Sequence, residues 1–448
     1  MKEYVKYAKE MLEFIEKSPS CFHAIGNVKR SLEEQGFLPL REKDTWQPEA
    51  GKGYYVVRND SSIIAFRLPQ TDAVKGFHMV AAHSDSPTFK VKEAPEIMVE
   101  ENYVKLNTEK YGGMILSTWL DRPLSIAGRV AVCRKEEASG NTQAAQKDNG
   151  EKAADTISTE LVNIDRDLLV IPNVAIHMNR DMNKGVEYNP QIDMLPLFAD
   201  GKESKGKGAL LKKVAKSAGV KPSDILGQDL FLYVREKGRI IGEKGEFVLS
   251  PRLDDLQCVY AAVKAFTQAK SREYINVCAI FDNEEVGSGT AQGADSTFLE
   301  DVLWRIAEGL KVSKTTYLQW LADSFLISAD NAHAVHPNHP EKADPTNRPY
   351  INGGIVIKYH GSQRYTTDAL SAAKLKQLCK KAGVPFQTYA NRSDVAGGST
   401  LGNISTSHVS VCSVDMGLPQ LAMHSAVETA GTKDTAYAVR MFEEFWRQ

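Results

Sequence analysis

Glu284 and Glu285 stand in a stretch, residues 281–288, that follows a mostly apolar run, residues 274–280, reading Tyr-Ile-Asn-Val-Cys-Ala-Ile. Such a run suits a strand buried on both faces of a mainly parallel sheet. Gly287 and Gly289 then break the pattern. Ligands of open α/β sheets bind beyond the carboxyl ends of the strands. Two adjacent carboxylates at that rim can divide two tasks, one binding a metal and the other handling a proton. The commoner fate of an isolated Glu-Glu pair is a solvated acidic turn, so partners must be sought elsewhere in the chain.

The same arrangement recurs. Residues 77–82 read as another strand, which runs straight into His83, with Asp85 two positions on. A metal-bound histidine usually gives its other ring N–H to a carboxylate, so this pair can supply ligand and orienter together; the ordinary alternative is a histidine capping a turn. Asp254 and Asp255 precede a helix over residues 256–269, where helix capping is the ordinary role. Residues 325–328 lead to Asp330, and residues 421–423 lead to His424. His333, His336 and His339 are spaced by three, but Pro337 and Pro340 argue against the helix that would gather them on one face. As a set, His83, Asp254, Glu284, Glu285, Asp330 and His424 offer nitrogen and oxygen ligands without thiolate, which suits Zn²⁺ and also admits Co²⁺ or Mn²⁺. Five of them can hold two ions, with one bridging carboxylate and a histidine and a carboxylate on each ion. The sixth, a free glutamate, is then the general base.

These residues must be positioned by an α/β framework. Tyr4, Val5, Ala8, Met11, Leu12 and Ile15 recur at helical spacing. A second helix is expected over 22–35, stopped by Gly36, and a hairpin at 54–57 and 63–66 around Asn59 and Asp60. From 91 to 245 the texture becomes β-rich, with strands at 104–106, 126–132 and 168–171 and a helix at 209–218. Residues 136–160 carry almost no large apolar side chain and read as a mobile surface loop. Further on come a helix at 370–382, a strand at 409–411, and a terminal helix capped by Asp434. The expected fold class is α/β: a mainly parallel sheet flanked by helices. The domains are a catalytic one split into 1–90 and 246–448, and an inserted β-rich one at 91–245.

Composition narrows the function. A chain of 448 residues favours more than one domain. A formal net charge of -2 gives no reason to expect bulk attraction to nucleic acid or to an anionic membrane. The six cysteines are scattered with no CxxC pair, which speaks against a disulfide framework and for a reducing compartment. The start of the chain lacks a signal-peptide core and no apolar run is long enough to span a bilayer, so the expected location is cytoplasmic.

The segments AAHSDSP, YGGM with WLDRPLSIAGRV, IPNVAIHMNR, SPRLDDL, FDNEEVGS, SADNAHAVHPN, SQRYTTDA, SDVAGGSTLG and LAMHSAVE span most of the chain. In them the protein resembles the aspartyl aminopeptidase and aminopeptidase I family of dinuclear zinc exopeptidases. Departures are few: Asp255 stands where that family usually has Asn, Ser84 replaces a common Thr, Ala426 and Val427 follow the last ligand where other pairs are typical, and residues 136–160 look like an insertion. The resemblance implies that His83 and Asp330 hold one metal, Glu285 and His424 the other, and that Asp254 bridges them. It makes Asp85 the orienter of His83 and Glu284 the general base for a water activated by two metals. It also implies that the β-rich insertion dimerises and that dimers assemble into a dodecamer admitting short peptides with a free N-terminus. Lys358, which follows the strand-like 355–357, is placed by it in the substrate pocket, and His177 is a candidate contributed across the dimer interface; together they fit a preference for N-terminal Asp or Glu. Two rival readings are an N-acyl amino acid amidohydrolase with the same metals and a non-catalytic assembly protein with the same fold.

Overall fold

Alternate residues of the strand Gly76–His83 enter two different cores. Val80 and Ala82 join Cys278, Ile280 and Ile327 beneath the helices Lys2–Glu16, Cys21–Glu34, Leu253–Gln268, Ala369–Ala382 and Asp434–Trp446. Phe77, Met79 and Ala81 join Ile275, Val277, Ala279 and Leu326 against the helices Phe298–Gly309 and Lys314–Asp323. A strand whose side chains alternate across the sheet is mostly apolar when both faces are covered. That explains the runs at 77–82 and 274–281, whose two polar residues are buried with partners: His78 stacks on Tyr274 and Asn276 donates to the carbonyl of Trp446. The structure is a computed structural model and describes residues 2–71, 73–134, 156–204 and 207–448.

The chain divides into two compact units: one comprises Met1–Pro87, Gly112–Ile115 and Glu236–Gln448, the other Thr88–Tyr111 and Leu116–Arg235. The first unit is built on a nine-stranded sheet. Its centre is four adjacent parallel strands, Tyr274–Phe281, Gly76–His83, Phe325–Ala329 and Cys412–Gly417. The flanks are mixed, so the expected mainly parallel sheet gives way to a mixed one. On one side the hairpin Gly53–Arg58 and Ser62–Arg67 runs antiparallel and pairs antiparallel with Tyr274–Phe281. Its turn residues Asn59 and Asp60 have φ of 53° and 55°, the two positive values that a tight hairpin with the native strand twist requires. On the other side Ile355–Tyr359 is antiparallel to Cys412–Gly417 and parallel to Phe386–Ala390. A smaller five-stranded sheet in the same unit orders Arg239–Ile241, Phe247–Ser250, Glu428–Gly431, Pro419–Leu421 and Ala332–His333.

The second unit is a six-stranded antiparallel sheet in the order Thr156–Asn163, Leu124–Arg134, Ile225–Val234, Thr88–Val99, Tyr103–Tyr111, Leu197–Asp200. The helix Ala209–Ala218 ends at Gly219 in a left-handed conformation, as its sequence predicts. Most of the supposed loop at 136–160 lies outside the described residues. Its last five positions do not belong to a loop: the strand begins at Thr156, where Thr156, Ile157 and Thr159 supply β-branched side chains. The strand expected at 168–171 reduces to isolated bridges at Leu169 and Val170.

Two further expectations shift. The strand expected at 409–411 starts at Cys412, because the helix Leu401–His408 occupies the preceding segment. Asp434 does not cap its own helix. Its buried carboxylate instead accepts the N–H groups of Asn352 at 2.7 Å and Gly354 at 3.0 Å. Among the described residues no helix is long and apolar enough to cross a membrane.

Phe66 is fully buried and stacks on Tyr54 at a centroid distance of 5.4 Å. Truncating it leaves a cavity next to the hairpin that anchors the central strands. Phe66→Ala is expected to destabilise the protein by about 3–5 kcal/mol, read as a lowered urea midpoint; an unchanged midpoint would show that the hairpin unfolds independently of the sheet.

Candidate metal centre

Parallel register gathers the cluster. Phe281 pairs with His83, and Phe325–Ala329 runs parallel on the other side of the same strand. Neighbouring strands lie about 4.8 Å apart, so groups just past their carboxyl ends meet. His83 closes its strand, Glu284 and Glu285 form the short helical turn Glu284–Val286 after Phe281, and Asp330 follows Ala329. Asp254 and Asp255 arrive from the first turn of Leu253–Gln268 with non-helical backbone angles, and no side chain caps that terminus. The capping role is therefore not the one these aspartates take. His424 comes from the turn after Pro419–Leu421, with φ of 65°, an uncommon conformation for a residue with a Cβ.

Asp254 is central. Its Oδ1 lies 3.6 Å from His83 Nε2, and its Oδ2 lies 3.5 Å from His424 Nε2. Asp330 Oδ1 stands 3.8 Å from His83 Nε2, and Glu285 Oε2 stands 3.4 Å from His424 Nε2. His83, Asp254 and Asp330 form one group with ligand atoms close enough to share an ion; Asp254, Glu285 and His424 form another; His83, Glu284 and Glu285 form a third. The first two have Asp254 in common, one oxygen toward each histidine.

The ring nitrogens on the far side are already engaged. His424 Nδ1 is 2.7 Å from the carbonyl of Gly113, and His83 Nδ1 is 3.1 Å from the carbonyl of Asp85. A carbonyl only accepts, so each Nδ1 carries a proton and each Nε2 is the nitrogen turned toward carboxylates. An Nε2 turned toward carboxylates calls for a proton or a metal cation between them. Asp254 Oδ1 and Glu285 Oε1 are buried with no hydrogen-bond partner, an arrangement that burial disfavours unless something positive is coordinated. Two imidazoles and three or four carboxylates without thiolate therefore fit divalent cations of the zinc type.

Asp85 does more than face His83. Its Oδ1 is 3.3 Å from His83 Nδ1, and its two carboxylate oxygens accept the N–H groups of Glu284 and Glu285, each at 3.2 Å. One buried side chain thus ties the histidine strand to the glutamate turn. Gly112 is a second such device. It adopts φ of 81°, and a Cβ there would lie 3.2 Å from the Glu285 Cβ. The sequence flagged YGGM only as part of a resemblance; the chemical signal, paired glycines beside an apolar residue, is too general to announce a histidine acceptor.

The charges explain themselves. Burial pushes Glu284 up to about 8, with Asp330, Asp85 and Asp254 adding repulsion and His83 opposing it. Burial likewise raises Glu285, reinforced by Asp254. Burial opposes charge on His424, but Asp254 and Glu285 outweigh it and lift the imidazole to about 10. Asp255, wholly buried, is raised well above the carboxylate range by burial and by Asp330 and Asp254, against His83. A neutral acid there has the shape of the asparagine that the resembling family usually carries at this position.

The remaining sequence candidates divide. Lys358 is only 3% exposed; its Nζ lies 3.4 Å from Asp330 Oδ2 and 5.5 Å from the Tyr365 ring centroid. Burial opposes its charge, yet Asp330, Tyr365, Asp415 and Asp254 together outweigh burial and hold the ammonium above its ordinary range. It is not a solvated strand-end lysine. His177 lies exposed in the second unit, in a turn after Ile171 that belongs to no strand. His336 and His339 sit at a two-residue bridge with rings 5.3 Å apart; His339 Nδ1 faces Glu341, and neither joins a ligand group among the described residues.

Protons and cations compete for this cluster. With His424 near 10 and Glu284 near 8, the metal-free protein at pH 7 holds protons on groups that face the cation space. Zinc uptake by chelator-stripped protein is expected to release protons, with apparent affinity rising about tenfold per pH unit for each one displaced between pH 6 and 8. Calorimetry in buffers of different ionisation heat measures the release; uptake without it means that other groups bind the ion.

Residues 14–446 match the family model described as aminopeptidase I zinc metalloprotease (M18). A probable M18 family aminopeptidase 2 of Clostridium novyi is 48% identical over 448 residues, covering 100% of both chains. A probable M18 family aminopeptidase 2 of Pseudomonas putida is 39% identical, covering 98% of this chain and 97% of that one. The fold is similar to that in a cryo-EM structure of the Ape4 and Nbr1 complex, with 36% identity, a TM-score of 0.91, and 99% and 86% of the two chains covered. It is also similar to the S. cerevisiae mApe1 dodecamer structure, with 28% identity, a TM-score of 0.83, and 99% and 98% covered. A match that runs nearly end to end, with relatives of the same length, assigns this chain to the M18 aminopeptidase family, and its activity is that of a metal-dependent aminopeptidase.

Proposed function

We propose that the chain removes the N-terminal residue of short peptides with two divalent cations, zinc before cobalt or manganese. His83 and Asp330 would hold one ion and Glu285 and His424 the other, with Asp254 offering an oxygen toward each. The observation that carries this reading is Asp254, whose two oxygens face two differently oriented histidines at 3.6 and 3.5 Å. When bound, two such cations lower the pKa of a water and polarise a substrate carbonyl. Glu284, which has no ligand role in this scheme, takes a proton from the attacking water onto its carboxylate and returns it to the departing amine. Asp85 keeps His83 in its Nδ1–H tautomer and fixes the turn that carries Glu284. The carboxylates favour a free α-ammonium over an acylated nitrogen, which favours an aminopeptidase over an N-acyl amidohydrolase.

The wider arrangement is part of the same reading. The antiparallel unit dimerises, His177 reaches a neighbouring subunit's substrate, and dimers build a homo-oligomer in the cytoplasm. The dodecamer of the yeast relative supports the assembly. Lys358 supplies the cation for an acidic N-terminal side chain: a partly dry pocket strengthens an ammonium–carboxylate pair relative to water.

Two outcomes test this. Glu284→Gln is expected to keep its metals and lose about 10²–10⁴-fold in kcat; near-normal turnover removes Glu284 from the role of base. Wild-type protein is expected to cleave N-terminal Asp or Glu faster than Leu, and Lys358→Met to lose that preference. Because Lys358 also touches Asp330, the ratio of the kcat/KM values decides, not the absolute rate. Faster cleavage of Leu substrates by the wild type rejects the acidic pocket and leaves the metallopeptidase intact.

A further inference from the structure

Glu428 is a carboxylate 2% exposed, and no lysine or arginine pairs with it among the described residues. It lies four residues past His424, at the first position of the strand Glu428–Gly431 in the small five-stranded sheet. Its Oε2 accepts the backbone N–H of Asp254 at 3.1 Å, and its Oε1 accepts the backbone N–H of His424 at 2.8 Å. Gln420 Nε2 donates to the same Oε1 at 3.4 Å. The Gln420 carbonyl oxygen in turn accepts from Asn331 Nδ2 at 2.9 Å, and Asn331 also reaches the carbonyl of Leu253 at 3.0 Å. Gln420 and Asn331 are each 1% exposed.

This chain of side chains touches the backbone at or beside three groups of the cluster: Asp254, His424 and, through the adjacent Asn331, Asp330. Two convergent N–H donors call for a group with an acceptor oxygen on each side, which a carboxyl supplies; an amide can satisfy one and must present its own N–H to the other. The His424 N–H that Glu428 accepts belongs to a residue in a left-handed conformation, with φ of 65°. We infer that Glu428 is a positioning residue: with Gln420 and Asn331 it forms a buried strut that fixes the separation and orientation of Asp254 and His424. The inference rests on the reading that those two residues hold cations.

The test uses the full chain, stripped with chelator and reloaded with zinc in competition with a chromophoric chelator, and with cobalt for its absorption spectrum. Groups that orient metal ligands typically account for 10–100-fold in metal affinity. Glu428→Gln is expected to weaken binding by about that factor and to alter the cobalt spectrum. A merely structural role would lower the melting temperature of the stripped protein and leave affinity and spectrum alone; that result overturns the inference. Gln420→Met, which breaks the strut without touching either N–H, carries the test if the first variant does not fold: weaker zinc binding supports the strut, and wild-type affinity overturns it. His424→Ala is the control for the underlying reading. If it leaves zinc stoichiometry unchanged, the ligand assignment fails; if it loses an ion while Glu428→Gln binds as the wild type does, the strut alone fails.

Discussion

Carboxylates from four separate segments meet in one buried space, and that convergence constrains everything around it. Like charges at such distances repel, and burial deprives them of water. Asp254 sits with one oxygen toward His83 and the other toward His424, and Asp254 Oδ1 and Glu285 Oε1 have no hydrogen-bond partner. A fold carrying this cluster is coherent only with positive charge in the middle. The surrounding hydrogen bonds read as preparation for that charge. Backbone carbonyls at Gly113 and Asp85 fix both imidazole tautomers, and Asp85 takes two N–H groups of the glutamate turn.

The sheet explains why such distant residues meet. Parallel strands end at the same rim, so an apolar run followed by an acid or a histidine delivers its polar group to the same place each time. This regularity made His83, Glu284, Glu285 and Asp330 legible in the sequence: each follows an apolar run, and each stands at or just past a strand's carboxyl end. Asp254 and His424 were harder. Asp254 looks like a helix cap, and only the non-helical angles of its turn turn it toward the cluster. His424 hangs on a three-residue strand and a left-handed backbone, neither of which leaves a periodic trace.

Other features were not legible, for related reasons. Antiparallel neighbours at both flanks of the large sheet depend on which strands pair, and pairing is a long-range property that local patterning does not encode. Asp434 resembles a cap by position, yet spends its oxygens on two N–H groups some eighty residues earlier in the chain. Lys358 looks like any strand-end lysine until Asp330 and Tyr365 are found against it. Periodicity reports which face of an element is buried; it is silent about which polar partner waits there.

The short segment Gly112–Ile115 belongs to the first unit although the chain on both sides of it belongs to the second. Gly113 supplies the carbonyl that holds His424, and the backbone N–H of Ile115 returns to the His424 carbonyl at 2.9 Å. The antiparallel unit is consequently not a detachable cassette. Excising it between Pro87 and Glu236 would also remove the acceptor that sets a histidine's tautomer in the other unit. The acceptor that orients His424 is thus delivered by a stretch of chain that leaves the antiparallel unit and returns to it, so a deletion meant to remove that unit alone also frees the ring of a histidine in the other.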